Sequence, residues 1–349
     1  MSVTLAIGVD AHGMPLLPWL APVLAAGQAL QTHSILIHGA PGAGQFEACL
    51  LLAQAWLCES LTVPKPCGRC TACALVRQHS HPDLLCIIPE DLRLQLGWVG
   101  EDDTLLKASA KPSRDIRIEQ VRQAIAWSHR TTGRGRGKAL LLHPAEALNG
   151  PSANALLKTL EEPMAGLRLL LACDDPELLL PTLRSRCQRL QVELPPIDWA
   201  TAWLTDQGTE GASAILALAG GSPLLAVKLV AEGIDAGLIA ALPRQVARAD
   251  ASGLISRPVP RALDMLFKLC HDCLAQAVGG GPRYFDSSHL VAGANLLRLL
   301  QWQASLMRVA RHADHPWNAG LAIEALVAEG ARAWQPMGVG QDRGSQVGA

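Results

Sequence analysis

Short apolar runs alternate with amphipathic stretches through the first half of the chain. Helical periodicity separates these runs, first over Phe46–Leu57, then over Ile118–Trp127 and Ala153–Leu160. The runs themselves are short enough to predict strands that are buried on both faces. The predicted strands are Ser34–His38, Leu84–Ile88, Lys138–His143, Leu167–Ala172 and Gln188–Val192. Such alternation of strands and helices predicts a doubly wound parallel sheet.

The pattern changes after Pro195-Pro196, beyond which no strand is predicted. Short helices come first, and from about Ile239 the helices lengthen and carry wide apolar faces. The stretch Asp91–Arg114 is polar and without a regular pattern, and it is predicted to be an irregular, exposed insertion. The predicted helices of the second half are Trp199–Asp206, Gly211–Ala219, Pro223–Ala231, Ala262–Ala277, His289–Arg311 and Leu321–Ala333.

These patterns predict an α/β fold plus all-α domains. The sheet domain is expected over residues 1–194, a small helical domain over 195–238 and a second helical domain over 239–334. Residues 335–349 are rich in Gly, Gln and charge, and are predicted to be disordered.

Overall charge and hydrophobicity exclude some classes of protein. The chain has 349 residues and a formal net charge of −1, which argues against a polyelectrolyte that binds nucleic acid along its whole surface. No run of 18 purely apolar residues occurs, and the first twenty residues lack a basic start before an apolar stretch. We therefore expect a soluble cytoplasmic protein with no membrane partner.

A glycine-rich loop follows the first predicted strand and has the spacing of a phosphate-binding loop. Gly39, Gly42 and Gly44 are in place, but Gln45 and Phe46 stand where a working loop has Lys and Ser or Thr. Gln brings no charge to a phosphate, and Phe has no oxygen for magnesium. We expect neither productive ATP nor magnesium binding, although the backbone amides remain as a weak anion nest.

The acidic magnesium ligand of a hydrolysing P-loop enzyme is also missing from this sequence. Such an enzyme holds magnesium with an acidic residue at the end of a second strand. Here the strand that begins at Lys138 ends in His143-Pro144. Glu146 is the nearest carboxylate, and it is expected to stand at the start of the next helix.

Four cysteines have the spacing of a zinc site. Cys58, Cys67, Cys70 and Cys73 follow the pattern C-x8-C-x2-C-x2-C. Four thiolates close a tetrahedron around zinc and leave no position for water, so the predicted site, in a module of about residues 58–73, is structural. The alternatives are a shell that includes His79 or His81, and reduced thiols without metal. Cys270 and Cys273 share a helical stripe with leucines and are interpreted as core residues, as are Cys49 and Cys86.

Two further motifs resemble one protein family. The segments Asn154–Pro163 (NALLKTLEEP) and Leu183–Cys187 (LRSRC) resemble the clamp-loader branch of the AAA+ proteins. The four-cysteine module after the P-loop helix is similar to that of bacterial DNA polymerase III clamp-loader subunits, and Pro18–Leu20 also resembles that family. The motif match covers roughly Pro18 to Leu225.

The resemblance implies an architecture and a role. It implies an AAA+ P-loop domain with an inserted zinc module, a small helical lid domain and a C-terminal helical oligomerisation, or collar, domain. Arg186 of the Ser-Arg-Cys motif would act in trans as an arginine finger on the ATP of a neighbouring subunit. Family ATPases sense their own nucleotide with an arginine at the position that Leu224 occupies here. Together these losses imply a subunit that does not hydrolyse ATP.

The implied partners are gamma- or tau-like ATPase subunits and a delta subunit in a hetero-pentamer. The sliding clamp would be contacted indirectly, and primed DNA would be met within the assembled complex. One alternative is an ATP-hydrolysing clamp-loader subunit with a divergent loop, which a change at Gly44 would inactivate. Another is a zinc-dependent DNA-binding protein, which the near-neutral charge disfavours.

Overall fold

The computed structural model describes residues 8–10, 12–61, 64–98, 112–311 and 318–335. The chain divides into two compact units, which are Met1–Pro196 with Ser222–Leu225, and Ile197–Gly221 with Ala226–Ala349. The division of the helical half into a lid and a collar domain at residue 238 stays a prediction. The predicted tail lies outside the described residues except for Gln335.

The first unit contains a five-stranded sheet in which every pairing is parallel. Its strands are β1 (Ser34–Gly39), β2 (Leu84–Ile87), β3 (Lys138–Leu142), β4 (Leu167–Cys173) and β5 (Gln188–Val192). The strand order is β2-β3-β4-β1-β5. The predicted parallel sheet is therefore confirmed, and each strand end agrees with the prediction to within one residue.

Seven α-helices of the described residues lie in the first unit before Pro196. They are α1 (Ala21–Ala29), α2 (Gln45–Leu57), α3 (Thr71–Arg77), α4 (Glu90–Gln95), α5 (Ile118–Ser128), α6 (Gly150–Glu161) and α7 (Pro181–Arg184). The prediction of an irregular insertion at Asp91–Arg114 is wrong at its start, because α4 lies there. Glu90 and Asp91 stand in the first turn of α4, where carboxylates favour a helix N-terminus. Residues 99–111 of the insertion lie outside the described residues.

One hydrophobic core cluster of the first unit lies between the sheet and the helices α5 and α6. Leu140 and Leu142 of β3 pack in one cluster with Leu156 of α6 and Val121 of α5, and all four side chains are fully buried. The helix α6 begins where the side chain of Asn149 accepts a hydrogen bond from the backbone N–H of Ser152 at 3.0 Å. This capped helix carries the motif segment NALLKTLE and ends at Glu161.

Among its described residues, the second unit contains helices and loops but no strand. Its helices are α8 (Ile197–Asp206), α9 (Ala212–Leu218), α10 (Pro223–Ala231, whose first three residues belong to the first unit), α11 (Ala236–Ala247), α12 (Val259–Ala277), α13 (Leu296–Ala310) and α14 (Ala319–Ala331). The helix predicted to start at His289 begins only at Leu296. The side chain of Asn295 caps it by accepting from the N–H of Arg298 at 3.2 Å, and Gly293, at φ +81°, lies outside the helical region.

A buried carboxylate organises the loop after α12. Asp272 is fully buried and accepts hydrogen bonds from the backbone N–H groups of Arg283, Tyr284 and Phe285 at 2.9, 2.7 and 2.8 Å. The sequence analysis missed this role. Its neighbours Cys270 and Cys273 are 1% and 2% exposed, and burial raises the pKa of each thiol to about 12. Both cysteines are therefore core residues, as the sequence indicated.

Among the described residues, no individual helix has both the length and the apolar composition needed to cross a membrane. Only α9 and α10, taken as one bent pair, would meet those two criteria together.

Candidate functional sites

The glycine-rich loop joins β1 to α2 and is packed on two sides by other parts of the first unit. The indole Nε1 of Trp19 donates to the backbone oxygen of Ala43 at 2.8 Å. From another side, the hydroxyl of Ser222 donates to the backbone oxygen of Gly42 at 2.7 Å. Gly42 has a φ of +73°, and a Cβ there would lie 2.5 Å from Ser222 Oγ. Only glycine fits this close approach without strain.

The side chain of Gln45 is folded back into this loop. Gln45 is 3% exposed, and its Nε2 lies 2.6 Å from the oxygen of Gly39, 2.9 Å from that of Ala40 and 3.0 Å from Oδ1 of Asp174. Its Oε1 accepts from the backbone N–H of Gly44 at 3.0 Å. In a working loop the amides face the phosphates and a lysine reaches the terminal ones. Here a neutral carboxamide engages one of those amides, so the weak anion nest expected from the sequence is partly occupied.

Phe46 forms an aromatic contact where a metal-binding hydroxyl would stand. Its ring stacks on that of His143 at the end of β3, with the ring centroids 4.7 Å apart, and Trp98 lies 5.6 Å from it. Burial lowers the pKa of His143 to about 4. At the two positions that hold magnesium in a hydrolysing enzyme, this chain therefore has the apolar ring of Phe46 and the imidazole of His143, which is neutral near pH 7.

The sequence analysis expected Glu146 at the start of the next helix, but it does not lie in an α-helix. It lies in a single 3-10 turn, Ala145–Ala147, and its Oε1 accepts from the backbone N–H groups of Asp174 and Asp175 at 2.6 and 3.0 Å. Burial, followed by the charge of Glu146, raises the pKa of Asp174 to about 6. Glu146 thus ties the end of β3 to the end of β4. Leu224 lies beside the loop, since a Cβ on Gly44 would be 3.6 Å from its Cδ1.

Arg186 lies between α7 and β5 with its side chain 33% exposed. Its Nε donates to Glu161 Oε1 at 2.7 Å, and its Nη2 bonds the same oxygen. Its Nη1 donates to the backbone oxygen of Thr182 at 2.9 Å. The two other arginines of this segment, Arg184 and Arg189, are paired with one carboxylate, that of Glu177. Arg186 is therefore held differently from its neighbours.

The four predicted metal ligands come together in space. The sulfur atoms of Cys58, Cys67, Cys70 and Cys73 all lie within 4.8 Å of one another, and those of Cys58 and Cys70 are 3.9 Å apart. Four sulfurs in a tetrahedron around zinc, each about 2.3 Å from the metal, are about 3.8 Å apart. The cluster therefore has both the donor set and the size for zinc. Among the described residues, neither His79 nor His81 belongs to it.

Backbone N–H groups of the module donate hydrogen bonds to two of the sulfur atoms and thereby favour the thiolate form of these cysteines. The N–H of Cys70 donates to Sγ of Cys67, and the N–H of Cys73 donates to Sγ of Cys70, each at 3.4 Å. Burial opposes ionisation of Cys67, but the backbone N–H groups of Arg69 and Cys70 lower the pKa of Cys67 to about 6. Burial raises the pKa of Cys73, which would be offset by the charge of a bound metal.

Gly68 makes the turn of this module possible. Its φ is +73°, and a Cβ at this position would lie 2.0 Å from the backbone oxygen of Asp10. No side chain fits so close to a backbone oxygen, so glycine is required at this turn.

A basic loop, Arg130–Lys138, lies next to the zinc module and is held by two carboxylates that the sequence analysis did not single out. Asp83, 1% exposed, accepts from the N–H groups of Gly133 and Arg134 at 2.7 and 2.8 Å. Glu59 accepts from Nε of Arg134 at 2.6 Å. Both carboxylates stand far from the loop in sequence, so only the fold could identify them as its partners.

Comparison with known proteins agrees with these features. Residues 23–196 match the family described as "DNA polymerase III, delta subunit". A DNA polymerase III subunit delta' of Pseudomonas aeruginosa is 36% identical over 212 residues, which are 60% of this chain and 58% of that protein. The subunit delta' of Yersinia pestis is 29% identical over 87% of this chain and 89% of its own length. A DNA polymerase III subunit tau of Salmonella typhimurium is 34% identical over 48% of this chain and 22% of its own length.

The P-loop between β1 and α2, the order of the parallel strands and the Ser-Arg-Cys segment before β5 define a protein of the AAA+ class. Within that class, the chain belongs to the family of DNA polymerase III delta-prime subunits.

Proposed function

We propose that this protein is a non-hydrolysing subunit of a replicative clamp loader that acts in the cytoplasm. In the proposed role it supplies Arg186 in trans to the ATP site of an adjacent ATPase subunit. It thereby helps to load the sliding clamp on primed DNA. Zinc, held by the four cysteines, has a structural part in this role.

The conformation of Gln45 is the observation that carries the proposal. Its side chain makes hydrogen bonds to two backbone oxygens of the loop, to one backbone N–H of the loop and to Asp174. A bound triphosphate would have to displace these bonds and would find no lysine in return. A charge-assisted hydrogen bond to a phosphate is worth roughly 1.5–3 kcal/mol, so the loss of the lysine and the metal together removes most of the binding energy.

The position of Arg186 supports the second part of the proposal. Its guanidinium is partly exposed and lies on the first unit at the end of α7. A planar guanidinium can bridge phosphate oxygens and stabilise the charge that develops on the transferring phosphoryl group. The chain cannot use this arginine on its own loop if that loop holds no nucleotide.

The relatives support the choice of partners. They carry the names subunit delta' and subunit tau of DNA polymerase III. We propose gamma- or tau-like ATPase subunits and a delta subunit as partners in a hetero-pentamer, with the sliding clamp contacted indirectly and primed DNA met within the complex.

The test is to reconstitute the full chain with tau- or gamma-type and delta subunits and to measure hydrolysis of ATP with primed DNA and clamp. Arg186→Ala is expected to leave assembly unchanged and to lower the rate at the adjacent site at least tenfold in single-turnover measurements. Arg189→Ala, an exposed arginine nearby, is the matched control and should keep the full rate. A full rate in the Arg186→Ala complex would refute the assigned role.

The same proteins distinguish this proposal from an ATPase with a divergent loop. That alternative predicts that the chain hydrolyses ATP alone and that Gly44→Val abolishes this activity. Our proposal predicts no hydrolysis by the isolated chain, with or without this substitution.

A further inference from the structure

Three hydrogen bonds within the chain orient the guanidinium of Arg186. Glu161, the last residue of α6, accepts from Nε and Nη2, and the backbone oxygen of Thr182 in α7 accepts from Nη1. We propose that Glu161 is a positioning residue that holds Arg186 ready for the ATP of the neighbouring subunit. This inference rests on the function proposed above for Arg186.

The bonds leave part of the guanidinium available. Arginine has five N–H donors, and Glu161 takes the edge formed by Nε and Nη2. Since Nη1 and Nη2 carry two hydrogens each, at least one Nη2 hydrogen remains after these contacts. Ser185 Oγ is only a distant partner of Nη1, at 3.5 Å. A phosphate oxygen can therefore be bound at the terminal nitrogens without breaking the contact to Glu161.

Preorganisation is the physical benefit of this arrangement. A free arginine side chain loses rotamer freedom when it is fixed, and that cost would fall on the transition state of each turnover. Glu161 fixes the side chain beforehand. The C-terminus of α6 also favours a nearby cation, because the last carbonyl groups of a helix carry partial negative charge.

The pair is weak enough not to withhold the arginine from a phosphate. The side chain of Arg186 is 33% exposed and that of Glu161 is 49% exposed. An ion pair at such exposure contributes little free energy, because water screens the attraction between its charges. A triphosphate with its magnesium presents a stronger partner. Glu161 is therefore expected to set the direction of Arg186 and not to compete for it.

The experiment is a double-mutant cycle in the reconstituted complex, with the rate of ATP hydrolysis measured over a range of ATP concentrations as the readout. Glu161→Ala is expected to lower the rate that depends on Arg186 roughly two- to fivefold, with little change in the KM for ATP. Glu161→Gln keeps one oxygen acceptor and should recover part of the rate. In the Arg186→Ala background, Glu161→Ala should have no further effect.

Glu162→Ala is the matched control, since Glu162 is the adjacent exposed carboxylate, and it should keep the full rate. Size-exclusion chromatography of every complex checks that assembly is unchanged. The inference is refuted by a full or raised rate in Glu161→Ala, or by an equal loss in the presence and absence of Arg186. If Arg186→Ala itself has the full rate, the proposed function fails, which is a different result from a failure of Glu161 alone.

Discussion

The carboxamide nitrogen of Gln45 lies 3.0 Å from Oδ1 of Asp174, so the first residue of α2 is hydrogen-bonded to the end of β4. The same nitrogen also bonds two backbone oxygens of the loop. In this family member, the loop that holds nucleotide in related ATPases is held by one of its own side chains.

Gln45→Ala tests this internal support. The substitution removes the three contacts that Nε2 of Gln45 makes to Gly39 O, Ala40 O and Asp174 Oδ1, and a hydrogen bond contributes about 0.5–1.5 kcal/mol. We expect the free energy of unfolding of the first unit to fall by at least about 2 kcal/mol. Urea denaturation followed by tryptophan fluorescence measures it. Gln95→Ala, an exposed glutamine in the same unit, should change the stability by less than about 0.5 kcal/mol. Equal stability of the two variants would contradict the support role.

His143 makes the first unit sensitive to acid. Its folded pKa of about 4 is below the ordinary value of 6.5, because burial disfavours the charged imidazolium. The unfolded chain therefore binds more protons between these two values, and stability falls as pH falls through that window. The expected loss from this group between about pH 7 and about pH 5 is about 2 kcal/mol.

Asp174 has the opposite effect, because its folded pKa of about 6 lies above its ordinary value of 3.8. Its carboxyl group adds stability as pH falls through 6, so the acid effect of His143 must be measured as a difference. His143→Phe keeps a ring against Phe46 and cannot titrate. We expect its stability to decline less than that of the wild type on acidification, as measured by urea denaturation at each pH. Parallel pH profiles for the two proteins would rule out this assignment.

Zinc is expected to bind at about one ion per chain and to stabilise the module of residues 58–73. Removal of zinc by a strong chelator should lower the melting temperature. The positive charge of the ion stabilises the four thiolates in the folded protein, and this stabilisation is lost with the ion. Cys70→Ser should bind substoichiometric zinc, while Cys86→Ala, outside the cluster, should bind it normally. Metal analysis and thermal unfolding measure both effects. A metal-free wild type of equal stability would refute the site.

Asp272 is expected to be the main support of the loop at residues 283–285. Asp272→Ala leaves three backbone N–H groups without their acceptor, and each hydrogen bond to a charged group contributes about 1.5–3 kcal/mol. We expect the second unit to lose at least about 3 kcal/mol of stability and its loop to become sensitive to protease. Limited proteolysis with identification of the cleavage sites is the measurement. Asp206→Ala, at the exposed end of α8, is the control. An uncleaved loop in Asp272→Ala would contradict this role.

The order of elements followed from local patterns. Runs such as Leu167–Ala172 are apolar at every position except Arg168, so they predict a strand covered on both faces. The four cysteines were predicted as one cluster because short spacings restrict where the sulfurs can lie. The start of α13 was misplaced because its apolar residues continue upstream, while the cap at Asn295 determines where the helix begins.

The sequence by itself determined the parallel sheet, the helical second half, the four-cysteine cluster and the absence of Lys, Ser and Thr from the P-loop, since each depends on residue type at a fixed spacing. Only the tertiary structure decided that Gln45 turns back to Asp174, that His143 stacks on Phe46 and that Glu161 holds Arg186. These partners are far apart in the chain. Their contacts depend on burial and on the direction of each side chain, and neither is encoded in a local pattern of residues.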